Sequence, residues 1–171
     1  VGDRYVAAML GIDGDLFHVG IRVPDLATAM DEMSRSHGVT WASVQDRPMH
    51  VWIPGRGEVT LQLALVYTCE GPTHLELMQG EPGSPWHAGD GDAFGVHHLG
   101  YWVDDVTVET ERLLSLGWML ELAAAPPEQG YGRFTYLRSP AGVLVEPLNR
   151  ASKPRFEAWW AGGDLASASS R

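Results

Sequence analysis

A chain of 171 residues, 44% of them hydrophobic and 20% charged, can bury one sizeable core or two small packed ones. Its net charge of −10 and its single lysine, Lys153, exclude the basic stripe of a nucleic-acid surface and the polybasic patch of a membrane-binding one. No apolar run approaches ~18 residues, the first residues lack a secretory layout, and the lone Cys69 offers neither an internal disulfide nor a cysteine zinc site, so the expectation is a cytoplasmic protein.

In chain order, residues 1–15, with three glycines and three aspartates, read as an arm. Phe17, Val19, Ile21 and Val23 then alternate with His18, Gly20 and Arg22, the period of a half-buried strand. Asp25 is placed to cap a helix whose Leu26, Met30 and Met33 form an apolar stripe, and Gly38 stops it. Strand character follows at 41–47, 50–53, 59–67 and 74–78, punctuated by Pro54-Gly55 and Glu70-Gly71-Pro72. Gly80 to Gly95 reads as a crossing loop in which Trp86 packs.

The order then repeats. His98, Gly100, Val103 and Asp105 each stand 80 positions after His18, Gly20, Val23 and Asp25, so the chain reads as two copies of one unit. Parity selects one imidazole of the tandem pair: His98 faces the way His18 does, while His97 takes the place of Phe17. Asp105 caps a second helix carrying Val106, Thr110 and Leu113 or Leu114, and Gly117 ends it. Strands are predicted at 119–123, 133–138 and 143–148. Pro154 to Trp160 reads as a short helix whose Phe156, Trp159 and Trp160 cap the sheet or a partner subunit, and Leu165 to Arg171 as a disordered end.

The predicted organisation is an arm (1–15), a first βαβββ module (16–79), a linker (80–94), a second module (95–150), and a C-terminal helix and tail (151–171). Each module closes with a glutamate inside an apolar strand, Glu76 in the first and Glu146 in the second. A buried carboxylate costs several kcal/mol unless it is paired or coordinated. Two histidines and two glutamates in equivalent positions make a mixed nitrogen and oxygen set suited to one divalent ion of the nickel, cobalt, zinc, iron or manganese kind.

The paired His-x-Gly strands, with Leu75-Glu76-Leu77 and Val143-Leu144-Val145-Glu146 closing the halves, resemble the vicinal oxygen chelate superfamily. That superfamily includes glyoxalase I, methylmalonyl-CoA epimerase, extradiol dioxygenases and bleomycin-resistance proteins. The resemblance implies an α+β fold in which two tandem βαβββ modules form a cup-shaped, partly open mixed β-sheet barrel with helices outside. It also implies metal binding by His18, Glu76, His98 and Glu146. The donor set resembles that of bacterial glyoxalase I and differs by one residue from that of the epimerase, which usually carries glutamine where Glu76 stands. Asp31-Glu32-Met33 and Ser139-Pro140-Ala141-Gly142 depart from the patterns common among relatives.

The chemistry this resemblance implies is proton removal next to a carbonyl of a small carbonyl or thioester substrate, by an isomerase, epimerase or lyase. Glu146, and after it Glu76, takes the role of base. Arg22, His74, Trp102 and Tyr136 share faces or neighbouring strands with the donors and are candidate substrate contacts, whereas His37, His50, His87 and His97 are assigned to surface, loop or core. The alternatives are a ferrous extradiol-type dioxygenase and a non-enzymatic ligand- or drug-binding protein, and a homodimer is expected by analogy.

Overall fold

Alternating side chains give the first strand two faces, and the structure uses both. In the computed structural model, which describes residues 15–89, 95–163 and 165, β1 (Asp15–Arg22) turns Ile21 outward onto α1 (Leu26–His37), while His18 lies fully buried on the other face. All of the predicted arm except Asp15 lies outside the described residues, as do 90–94 of the linker and all but Leu165 of the predicted tail.

Asp25 caps α1 as its sequence position requires, accepting from the Thr28 amide at 2.7 Å, and the Leu26 amide is held by the Gln79 side chain at 2.8 Å. Gly38 ends the helix at φ 68°. The fully buried residues of the helix are Leu26 and Ala29, with Met30 of the predicted stripe partly buried against the same core and Met33 half-buried. Leu26 and Ala29 are three residues apart and share a face, and the small alanine lets the helix sit close to Val66 and Leu77. The other strands of the first half are β2 (Gln45–Ile53), β3 (Gly57–Tyr67) and β4 (His74–Gly80). The two segments predicted at 41–47 and 50–53 are one strand, preceded by an isolated bridge between Trp41 and Thr68.

The second half repeats the design with β5 (Gly95–Val103), α2 (Val106–Ser115), β6 (Met119–Ala123), β7 (Thr135–Arg138) and β8 (Leu144–Asn149). Asp105 caps α2 through the Val108 amide at 3.1 Å. Tyr101, Val103, Val106, Leu113, Leu137 and Val145 form its core. A last helix, α3, spans Lys153–Trp160. Among the described residues the strands run β1-β4-β3-β2-β6-β7-β8-β5 in a closed mixed barrel, with helices packed outside. The ring consists of tandem βαβββ-like modules.

The chain divides into two compact units, each drawing on both halves of the sequence. One holds 50–60 and 98–152 together with the start of β1; the other holds 18–49, 61–97 and the segment from Lys153. Within each unit lies one parallel strand pair, β1 with β4 and β5 with β8.

Candidate metal centre

The two parallel pairs share one register. Gly20 stands opposite Glu76, and Gly100 opposite Glu146. Since glycine has no side chain, the facing glutamate can lean along the strand toward the histidine two residues earlier on the glycine strand. Glu76 Oε2 accordingly lies 3.5 Å from His18 Nε2, and Glu146 Oε2 lies 3.2 Å from His98 Nε2. All four residues are buried, with relative exposures of 0% for His18, 5% for Glu76, 1% for His98 and 6% for Glu146.

His18, Glu76 and His98 each offer one ligand atom, and these atoms lie within 4.8 Å of one another. Ligands bonded at about 2.0–2.2 Å to a shared ion stand roughly 3 to 4.4 Å apart. The donor chemistry, imidazole nitrogen with carboxylate oxygen, suits one divalent cation, and the 4.8 Å limit lies a few tenths of an ångström beyond that range. Glu146, the fourth residue of the sequence-derived set, lies beside His98 but is not one of the three whose ligand atoms gather within that distance.

The candidate substrate contacts are placed as follows. Tyr136 is buried on β7, with its ring 4.8 Å from that of His98. His74 is the register partner of His18; it donates from Nδ1 to the Thr68 carbonyl at 2.7 Å and stacks on Trp160 at 3.7 Å. Burial holds its pKa below the usual histidine range, which favours the neutral ring. Trp102 is buried and stacked on Phe17 at 3.8 Å. Half-buried Arg22 donates from Nη1 to the His87 carbonyl at 3.3 Å. A separate cavity of about 350 Å³, lined by His50, Trp52, Glu58, Thr60 and Ala124 among others, contains none of the four predicted donors.

Sequence reasoning missed Tyr67. It is buried, stands opposite Glu76 in the β3–β4 register, and meets His18 edge to face with ring centres 5.2 Å apart. Its position at the end of an apolar strand gave no signal beyond core packing.

The profile of the glyoxalase/bleomycin resistance protein/dioxygenase superfamily matches residues 17–136, which is more than half of the chain. The chain belongs to this superfamily. Within it, the ethylmalonyl-CoA/methylmalonyl-CoA epimerase of Cereibacter sphaeroides is 30% identical over 141 residues, covering 78% of this chain and 96% of its own. Two solved structures share the fold. Methylmalonyl-CoA epimerase from Mycobacterium tuberculosis has a TM-score of 0.55 and 22% identity, covering 82% of this chain and 90% of its own. A methylmalonyl-CoA epimerase in complex with methylmalonyl-CoA and NH4+ has a TM-score of 0.56 and 17% identity, with coverage of 81% and 96%. Superfamily membership and the buried triad together support a metal-dependent catalytic role on a small molecule. No described helix is long and apolar enough to cross a membrane.

Proposed function

We propose that this chain is a metal-dependent epimerase of substituted malonyl thioesters. The observation that carries the reading is the buried His18, Glu76 and His98 donor set, with Glu146 3.2 Å from His98. The 30% identical relative named for ethylmalonyl-CoA and methylmalonyl-CoA supports the substrate class.

In this reading His18, Glu76, His98 and Glu146 hold one divalent ion. When bound, such an ion polarises a carbonyl oxygen and stabilises negative charge developing there. The remaining work falls to the chain. Proton removal and return on opposite faces of one carbon needs acid–base groups at that carbon, and Glu146 and Glu76 are the two carboxylates of the centre. We assign Glu146 as first base and Glu76 as its alternative. Tyr136 and His74 line the donors as hydrogen-bonding groups, and Arg22 and Trp102 complete the substrate contacts. We further assign a cytoplasmic location, consistent with the lone Cys69, and a homodimer, which light scattering would remove if the mass were that of one chain.

The test is metal analysis followed by solvent-deuterium exchange at C2 of methylmalonyl-CoA. About one ion per chain, and exchange abolished by chelation, is the expected result. Metal-loaded protein that exchanges nothing would sink the proposal. A second reading has its own support: two histidines with one carboxylate is the donor set of ferrous oxygenases. Oxygen uptake with a catechol by the iron-loaded protein would select it.

A further inference from the structure

The register sorts the side chains of β1, β4 and β3 into two sets. Ile21, Val66 and Leu77 face α1. On the opposite face stand His18 and Gly20 of β1, His74 and Glu76 of β4, and Tyr67 of β3, since His18 pairs with His74, Gly20 with Glu76, and Tyr67 with Glu76. The α3 helix packs on this second face, the one that carries His18 and Glu76. Phe156, Trp159 and Trp160 approach the Tyr67 ring with centres at 5.7, 5.3 and 6.0 Å, and Trp160 stacks on His74. This helix lies beyond residue 136, where the superfamily match ends.

The three aromatics are not equivalent. Trp159 is the anchor: fully buried, it donates from Nε1 to the carbonyl and hydroxyl oxygens of Ser43, both at 2.9 Å. Phe156 and Trp160 remain half-buried. Here one tryptophan fixes the helix, and the other presents a flat apolar surface beside the register partner of His18.

We propose that α3 supplies one wall of the space in front of the donors, and that Trp160 sets how large a group on the reacting carbon is accepted. The inference rests on the proposed metal centre and names its specificity element. A pocket wall discriminates one methylene by about 10–200-fold, so removing the indole changes a ratio between substrates and not only a rate.

Trp160→Ala and Trp160→Phe are compared with the unaltered chain in two measurements. In the first, kcat/KM is taken for ethylmalonyl-CoA and methylmalonyl-CoA. In the second, the cobalt-loaded proteins are titrated with acetohydroxamate and benzohydroxamate, read in the visible cobalt bands, which needs no turnover. The expected result is a rise of at least about 10-fold in preference for the larger member of each pair in Trp160→Ala, and a smaller rise in Trp160→Phe. Metal content stays unchanged. Both ratios holding within about twofold while the melting temperature falls would overturn the inference and leave a packing role. Should neither thioester react, the epimerase reading falls, and the hydroxamate ratio still decides the wall. Absence of cobalt uptake would overturn both.

Discussion

Glu109 shows how a single buried charge is accommodated in this chain. It accepts from the Tyr101 hydroxyl at 2.9 Å and from Arg112 at 2.7 and 2.8 Å, so neither the carboxylate nor the phenol is buried alone. Burial first, then the Glu109 charge, pushes the Tyr101 pKa well above its ordinary value. The raised folded-state pKa means that this contribution to stability is complete below about pH 10 and is lost as pH climbs through the alkaline range. Tyr101→Phe should cost about 1.5 kcal/mol at neutral pH in urea unfolding, and should flatten the alkaline loss. A variant as alkali-sensitive as the unaltered chain would show that another group titrates. At the centre, Glu146→Gln should keep an ion on His18, Glu76 and His98 yet lower exchange at least about 100-fold; full activity would remove Glu146 as base. The buried group of His18, Glu76 and His98 was legible in the sequence because duplication exposes each residue type twice. Glu109 was not, since on a helix it has the look of a solvated residue, and its burial depends on a tyrosine from the strand before.

At the scale of elements, what the sequence reveals is local chemistry. Asp25 and Asp105 sit where a carboxylate reaches free amides three residues on, and both helices begin there. Asp105→Ala should therefore destabilise by about 1 kcal/mol, measured by urea unfolding, and a neutral result would mean that water replaces the cap at no cost. What an element rests against is less legible. The spacing draws the α1 face through Leu26, Met30 and Met33, and only the approach to Val66 and Leu77 adds Ala29 to it. The same holds for α3: its aromatics announce burial, but a terminal helix carries no local signal of the face it covers. Trp159→Ala, which removes both the anchor and its two contacts to Ser43, should cost about 3–5 kcal/mol by urea unfolding. A loss below about 1 kcal/mol would mean that α3 is held by other residues.

For the molecule as a whole, folding takes carboxylates away from water. Glu76 and Glu146 are nearly inaccessible, each beside an imidazole, and in the proposed centre a divalent cation balances their two charges. An ion bound by the folded chain and not by the unfolded one stabilises by mass action, about 2.7 kcal/mol when free metal is 100 times its dissociation constant. For a chain of this length that corresponds to a melting-temperature rise of roughly 5–11 °C. Chelation should reverse it, and scanning calorimetry with and without chelator is the measurement. Glu76→Gln separates metal from packing: it preserves shape while removing a charge that is costly only when uncompensated. The chelated variant should therefore melt no lower than the chelated unaltered chain, yet gain less when metal is restored. If instead it melted well below the chelated parent, Glu76 would be stabilised by its protein neighbours alone, and the centre would no longer need an ion to explain its buried carboxylates.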